Sequence, residues 1–194
     1  MTHVYFVRHA QPNYENHDDF SRELSPKGLA DRALVTDYLR EKGVDAVLSS
    51  PYRRAVDTVT PLAQMLELTI ETEEDFRERK VGSGWIEDFD GFARQQWSNF
   101  DYKLSDGESL DEAQGRNLRA LNRVLERFAG KTVVIGSHGT ALSTIIHHFR
   151  PEFGYESFQR IRPVMPWIVH FMFDGNLCVN IEAYDVFTER TEEI

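Results

Sequence analysis

The chain has 194 residues, with a hydrophobic fraction of 41%, a charged fraction of 28% and a formal net charge of −10. This composition is typical of one globular domain with its own core, so we expect residues 1–194 to form a single domain. The negative charge argues against nucleic acid and anionic membranes as partners, because proteins that bind polyanions carry an excess of Lys and Arg. A small molecule is therefore the expected partner.

The start of the chain and its one cysteine bear on the cellular location. Residues 1–9 lack the basic region and the long apolar run of a signal peptide. Cys178 has no second cysteine with which to form an intrachain disulfide, which is compatible with reducing conditions. We expect a cytoplasmic protein.

Strand and helix patterns alternate along the chain. Apolar runs that suit buried strands lie at 4–7, 46–48 and 132–135. Apolar residues with helical spacing predict four helices, over about 26–42, 55–66, 109–128 and 140–149. Ser109 and Glu112 have the spacing of a capping box at the start of the third helix.

The last third of the chain contains a predicted hairpin. Residues 167–173 and 177–184 flank the turn sequence Asp174-Gly175-Asn176, and the charged tail from residue 188 is expected to be solvated. Strands that alternate with helices predict an α/β fold. We expect a three-layer α/β/α sandwich with a mostly parallel sheet and an antiparallel edge strand.

Residues 79–107 interrupt the alternation with a segment rich in Gly, Asp and aromatic residues. We interpret this segment as a small insertion over the active site that acts as a lid or determines specificity. Its aromatic residues have two equally open roles, as a satellite core or as the lining of a substrate pocket. They are Trp85, Phe89, Phe92, Trp97, Phe100 and Tyr102.

Basic and imidazole side chains follow the apolar runs. Arg8 and His9 follow the first run, Arg54 follows the second, and His138 follows the third. Because ligands bind beyond the carboxyl ends of parallel strands, we expect these side chains to converge. Guanidinium groups bind phosphate oxygens in pairs, and a neutral imidazole nitrogen is a competent nucleophile. The sequence therefore predicts phosphoryl transfer, with His9 as the nucleophile.

Several motifs occur in an order that resembles one known family. Arg8-His9-Ala10 is similar to an Arg-His-Gly signature, with Ala in place of Gly. The others are Leu24 to Gly28, Ser50 to Thr58, Phe76-Arg77-Glu78 with Gly82 and Trp85 after it, Gly107-Glu108-Ser109, and Ser137-His138-Gly139. Together they resemble the motifs of the histidine phosphatase superfamily, also called phosphoglycerate mutase-like, over residues 4 to about 145.

The resemblance implies a metal-independent, cofactor-free mechanism with a phosphohistidine on His9. Arg8, Arg54 and His138 would hold the phosphoryl oxygens, and Glu78 would serve as general acid and then as general base. For the first role Glu78 has to be protonated, which apolar cover by Trp85 would favour. We also expect the phosphate or substrate to contact Gly139, Gln11 and Asn13.

Alternatives remain within and beyond this family. A phosphatase that acts on a small phosphorylated metabolite is favoured over a phosphoglycerate mutase-type transferase. Between residues 81 and 105 the cations Arg94 and Lys103 are outnumbered by Glu87, Asp88, Asp90 and Asp101, which is a poor balance for polyanionic acids. A catalytically inactive phosphate-binding homologue is the third hypothesis. The physiological substrate and the oligomeric state stay open, a homodimer included.

Overall fold

The computed structural model describes residues 1–84 and 86–194. In this part of the chain the strands are β1 (Thr2–Arg8), β2 (Ala46–Ser49), β3 (Ile70–Thr72), β4 (Thr132–Ser137), β5 (Trp167–Asp174), β6 (Leu177–Asp185) and β7 (Arg190–Glu193). The helices are α1 (Pro26–Leu39), α2 (Arg53–Met65), α3 (Phe89–Ser98), α4 (Leu110–Arg127), α5 (Gly139–Phe149) and α6 (Tyr155–Ile161).

The strands form one mixed sheet in the order β3-β2-β4-β1-β5-β6-β7. The pairs β2–β3, β2–β4 and β1–β4 are parallel, whereas β5, β6 and β7 join by antiparallel pairing. The predicted α/β class is thus confirmed, and the antiparallel part is larger than one edge strand. The tail side chains are exposed as predicted, yet residues 190–193 still form a strand, because backbone pairing with β6 does not require side-chain burial.

Helices cover both faces of the sheet, which gives the predicted three layers. Val4 and Phe6 of β1 belong to a core formed with α4 and α5. Tyr5 and Val7, which alternate with them, belong to a second core formed with α1 and α2. None of the described helices combines the length and the apolar character needed to cross a membrane.

Besides β7, three of the described elements are not predicted from the sequence. They are β3, α3 and α6, and each is short or carries few apolar residues in a regular pattern. The helix α3 lies inside the segment 79–107, where Asp88 caps its first turn by accepting a hydrogen bond from the backbone N–H of Gly91 (2.8 Å).

The two ends of the segment 79–107 are joined at its base. The backbone N–H of Glu108 donates to the carbonyl of Lys80 (2.7 Å), and the N–H of Lys80 donates to Oε2 of Glu108 (2.9 Å). A Cβ atom at Gly107 would lie 2.2 Å from the carbonyl oxygen of Val81, so only glycine fits at this approach. The segment therefore leaves and rejoins the domain at one point.

The register of the parallel strands brings their carboxyl ends together. Arg8 of β1 lies beside Ser137 of β4, and Ser49 of β2 lies beside Gly136. The residues that follow these strands emerge at one edge of the sheet. The fold thus brings together the three segments that carry the predicted phosphate-binding side chains.

Candidate active site

His9 lies just beyond β1 with 6% of its surface exposed. Its Nδ1 is 2.8 Å from the carbonyl oxygen of Ala10, and because a carbonyl only accepts, Nδ1 carries the proton. Nε2 therefore keeps its lone pair. Burial lowers the pKa of His9 well below its usual range, and the nearby guanidinium groups of Arg54 and Arg8 lower it further. The ring is thus a neutral imidazole with the protonation state of a nucleophile.

His138 is fully buried at the end of β4, with its ring edge-on to that of His9 at a centroid distance of 5.3 Å. Its Nε2 lies 2.7 Å from Oγ of Ser50, while its Nδ1 has no partner among the described residues. Burial, and next the charge of Arg54, lowers the pKa of His138 well below its usual range. A neutral ring that accepts the Ser50 proton at Nε2 carries an N–H at Nδ1, which is free to bond a phosphoryl oxygen.

Arg8 is packed against the backbone that follows His138. A Cβ atom at Gly139 would lie 3.1 Å from Nε of Arg8, so a side chain at this position would push the guanidinium away. Nη1 of Arg8 donates to the carbonyl of Ile161 (2.6 Å), the last residue of α6, and to that of Val164 (3.1 Å). Nε of Arg8 is buried without a partner in the described part of the chain, which leaves a donor for an anion.

Arg54 occupies the first turn of α2 and is 3% exposed. Its guanidinium donates to the backbone carbonyl of Asp19 and forms an ion pair with the carboxylate of the same residue (3.0 Å). It also lies over the ring of Tyr52, with Cζ 5.1 Å from the ring centroid. Asp19 and Tyr52, which sequence reasoning missed, therefore orient this arginine.

A hydroxyl of α2 fixes the backbone beside His9. Oγ1 of Thr58 accepts a hydrogen bond from the N–H of Ala10 (3.0 Å) and donates to the carbonyl of Arg54 (2.7 Å). These two hydrogen bonds explain why the motif from Ser50 to Thr58 ends in a threonine. Thr58 thus connects the loop that follows His9 to the helix that carries Arg54.

Glu78 reaches the amino terminus of α5. Its carboxylate accepts hydrogen bonds from the backbone N–H groups of Thr140 (3.0 Å), Ala141 (3.0 Å) and Arg79 (2.7 Å). Helix amino termini attract negative charge, so the backbone donors at the start of α5 complement this carboxylate. The predicted cover by Trp85 concerns a residue outside the described ones.

The segment that carries Glu78 is held by a buried arginine of α4. Arg116 is 3% exposed and donates to the carbonyls of Asp75 (2.8 Å), Arg77 (2.8 Å) and Glu78 (3.0 Å). It also pairs with Glu108 through Nε (2.8 Å) and Nη2 (2.9 Å). No local sequence pattern indicates the role of Arg116, because all of its partners except Glu108 are more than 30 residues away in the chain.

These groups surround a cleft of about 1240 Å³. Arg8, His9, Arg54, Glu78 and Gly139 line it, and the fully buried His138, next to His9, is not among the described lining residues. Of the described lining residues, six are cations and two are carboxylates, although the whole chain has a net charge of −10. The cations are Arg8, Arg22, Arg54, Arg79, Lys80 and Arg162, and the carboxylates are Asp19 and Glu78. The cleft is therefore a local anion site.

The segment 79–107 contributes to both the core and the cleft. Trp97 and Phe100 pack around His147, with ring centroids 5.7 and 4.8 Å from it, and so extend the core. Phe89 and Ile86 line the cleft. The two roles that the sequence left open for the aromatic residues thus apply to different members of the set.

The two cations counted from the sequence in this segment lie outside the cleft lining. Arg94 stacks on Tyr155 (4.9 Å), and Lys103 pairs with Glu112. The cations of the cleft come instead from positions such as Arg22 and Arg162. The balance of charges between residues 81 and 105 therefore does not exclude an acidic substrate.

Gln11 and Asn13 are not brought to the described lining of the cleft. Oε1 of Gln11 accepts from Oγ of Ser25 (2.9 Å), and Nδ2 of Asn13 donates to Oε1 of Glu23 (2.8 Å). Their side chains hold the loop after His9 against the start of α1. Gln11 and Asn13 are close to His9 in sequence, but their side chains lie away from the described cleft lining because the loop pairs with residues 23–25.

Comparison with known proteins identifies the family. The family model of the histidine phosphatase superfamily (branch 1) matches residues 4–179, which include every residue of the cleft. The chain belongs to this superfamily.

Several proteins whose names state an activity are similar to this histidine phosphatase superfamily member in sequence or structure. A putative phosphoserine phosphatase 2 of Hydrogenobacter thermophilus is 27% identical, covering 75% of this chain and 77% of that protein. A probable phosphoglycerate mutase GpmB of Yersinia pestis is also 27% identical, covering 75% and 74%. The solved structure of a phosphoserine phosphatase of Entamoeba histolytica in complex with phosphoserine has a TM-score of 0.74 and 20% identity, covering 93% of this chain and 96% of that one. At 20% identity, the similarity to this solved structure shows a shared fold.

Proposed function

We propose that this protein is a metal-independent phosphomonoester hydrolase that acts through a phosphohistidine on His9. The observation that carries the proposal is a neutral His9, with Nε2 unprotonated, in a cleft that also holds Arg8, Arg54 and Glu78. Phosphatases and mutases both occur among the similar proteins, which supports phosphoryl transfer but leaves the substrate to experiment. A small phosphorylated metabolite is the proposed substrate class.

In the first step Nε2 of His9 attacks phosphorus as the bond from phosphorus to the leaving oxygen breaks. Arg8, Arg54 and Nδ1–H of His138 would hold the three equatorial oxygens and offset their charge. Glu78 gives a proton to the leaving oxygen, and the alcohol departs. This step requires Glu78 to enter it in the protonated form.

In the second step Glu78, now ionised, takes a proton from water, and the oxygen of that water attacks phosphorus. The bond from phosphorus to Nε2 breaks, inorganic phosphate leaves, and His9 returns to its neutral state. The hydrogen bond from Nδ1 of His9 to the carbonyl of Ala10 keeps the same tautomer through both steps.

Removal of the nucleophile tests the proposal. We expect the wild-type protein to hydrolyse p-nitrophenyl phosphate in excess EDTA and to form an acid-labile, base-stable phosphoenzyme. His9→Ala should lower kcat/KM by at least about 10³-fold and abolish the phosphoenzyme, because the covalent route is lost. Turnover by His9→Ala at the parent rate would refute it. Absence of both activity and phosphoenzyme in the wild type would favour an inactive phosphate-binding homologue.

Phosphoryl transfer between organic hydroxyls is the second candidate. The surplus of cations in the cleft favours it, since a mutase has to retain an acidic intermediate. Conversion of 3-phosphoglycerate to its 2-isomer, stimulated by the bisphosphorylated acid and faster than release of inorganic phosphate, would support the mutase over the hydrolase.

A further inference from the structure

The loop that follows His9 places a carboxylate beside a cation that would hold the phosphoryl group. Asp19 lies between β1 and α1, and its side chain is 43% exposed. Nη1 of Arg54 donates to the backbone carbonyl of Asp19, and Nη2 lies 3.0 Å from Oδ1 of the carboxylate. Asp19 thus takes up the edge of the guanidinium formed by Nη1 and Nη2. The other N–H groups of Arg54 are left for a ligand of the cleft.

The same carboxylate also pairs with a second arginine of the cleft. Nη1 of Arg22 lies 3.2 Å from Oδ1 of Asp19, which is the oxygen that Arg54 contacts. Donation from Nε of Arg22 to the carbonyl of Asn16 (2.6 Å) holds this guanidinium in place. Arg22, Asp19 and Arg54 all line the cleft, so one negative charge lies between two positive charges.

These charges act on the place where the phosphoryl group would bind. Burial lowers the pKa of His9 most, and Arg54 and Arg8 come next. Arg22 lowers this pKa as well, so its charge reaches the nucleophile. The three arginines carry three positive charges, whereas a phosphate group carries at most about two negative ones. Asp19 reduces the sum to two, which balances the anion without a surplus.

We infer that Asp19 weakens the binding of inorganic phosphate by compensating charge at Arg54 and Arg22, and thereby determines how readily the product leaves. This inference rests on the proposed function, in which Arg54 holds the phosphoryl group. Product release limits turnover in many enzymes, and a site that binds phosphate too firmly is inhibited by its own product. Asp19 acts through the two arginines and has no part in the making or breaking of bonds.

A purely supporting role for Asp19 predicts the opposite effect. If the carboxylate served only to orient Arg54, its loss would weaken phosphate binding, because a misplaced guanidinium loses hydrogen bonds to the anion. If its charge opposes the anion, its loss strengthens phosphate binding. Two supports of Arg54 do not depend on the carboxylate, namely the backbone carbonyl of Asp19 and the ring of Tyr52, 5.1 Å from Cζ. The direction of the change in affinity therefore decides between the two roles.

Competitive inhibition by inorganic phosphate, measured against p-nitrophenyl phosphate, tests the inference. Asp19→Asn removes the charge and keeps a side-chain oxygen that can accept from Arg54. We expect Ki to fall by at least about fivefold, since unit charges a few ångströms apart interact strongly and the partial exposure of Asp19 screens them only in part. Asp18→Asn is the matched control, because this exposed carboxylate lies in the same loop and accepts from the N–H of Ser21 (2.8 Å). It should leave Ki within about twofold.

The rise in melting temperature caused by inorganic phosphate measures the same binding without turnover. At one phosphate concentration, Asp19→Asn should gain more than the wild-type protein, and Asp18→Asn should gain the same as the wild-type protein. If Asp19→Asn does not fold, Asp19→Ser also removes the charge and keeps an oxygen. It is expected to lower Ki as well.

The outcomes separate this inference from the proposed function. An unchanged or higher Ki in folded Asp19→Asn, with hydrolysis that still depends on His9, would overturn the inference and leave the phosphatase intact. Equal falls of Ki in Asp19→Asn and Asp18→Asn would also overturn it, because they would show an effect of net charge alone. Absence of hydrolysis and of the phosphoenzyme in the wild-type protein would instead refute the proposed function. The melting temperatures would then still show whether Asp19 opposes phosphate binding.

Discussion

Ser50 determines which nitrogen of His138 faces a ligand. Its Oγ accepts from the N–H of Tyr52 (3.2 Å) and forms a hydrogen bond with Nε2 of His138 (2.7 Å). Such a partner fixes both the tautomer and the ring plane of an imidazole. In the proposed mechanism the hydroxyl would therefore act on the phosphoryl group only through His138.

Replacement of Ser50 tests this positioning role. Ser50→Ala should lower kcat by about tenfold or more, because His138 loses the hydrogen bond that orients it. Ser49→Ala is the control, since the neighbouring hydroxyl is equally buried and has no partner among the described residues. That variant should keep kcat and the melting temperature. Equal effects of the two replacements would contradict a specific role for Ser50.

Substrates with different leaving groups test the role of Glu78 as general acid. Glu78→Gln should lower kcat/KM for an alkyl phosphate by about 10²-fold or more, since the alkoxide leaves poorly without a proton. For p-nitrophenyl phosphate, whose leaving group is stable as an anion, the loss in the phosphorylation step should be much smaller. Burst kinetics with the two substrates measure this step. Equal losses for both would contradict the acid role.

The catalytic candidates could be placed from the sequence, whereas their supports could not. His9 and His138 directly follow strands whose carboxyl ends meet, and Arg54 lies in the first turn of the helix after a third such strand, so local pattern is enough to bring them together. Arg162 and Asp19 reach the cleft through loops, and nothing in their neighbouring residues indicates that direction.

At the scale of elements, α4 holds the chain segment of Glu78 in place through Arg116. The capping box of Ser109 and Glu112 predicted the start of this helix, and both of its bonds are present. The contact of Arg116 with three carbonyls was not predictable, because it depends on how α4 packs against a turn more than 30 residues earlier. Amphipathic spacing places a helix on a sheet but does not identify such partners.

Arg116→Met tests this arrangement. It should lower kcat for alkyl phosphates by about tenfold or more, and add little in a Glu78→Gln background, because the loss acts through Glu78. The carboxylate of Glu108 would also lose its buried partner, so the melting temperature should fall. Arg119→Met, on the same helix but exposed, is the control. Additive losses in the double variant would contradict the assignment.

At the scale of the whole molecule, buried imidazoles make stability depend on pH. Burial lowers the pKa values of His9 and His138 well below the usual range, and burial followed by His3 lowers that of His170 to about 4. The unfolded chain binds these protons near pH 6.5, and the folded chain does not. Their stabilising contribution is therefore complete above about pH 6.5 and is lost as the pH falls below it.

Urea unfolding between pH 7 and pH 5 measures this loss. We expect the free energy of unfolding to fall by up to about 1.4 kcal/mol per pH unit for each of the three imidazoles below pH 6.5. His170→Gln should reduce the slope, whereas the exposed His148→Gln should not. Constant stability across this range would contradict neutral, buried histidines.

The closed base of the segment 79–107 separates two parts of the enzyme. Because the hydrogen bonds between Lys80 and Glu108 join its ends, the segment can change in length or composition without pulling on the strands that carry His9 and His138. We therefore expect exchange of residues 81–107 with those of a relative to alter substrate choice and to leave the chemistry at His9 unchanged.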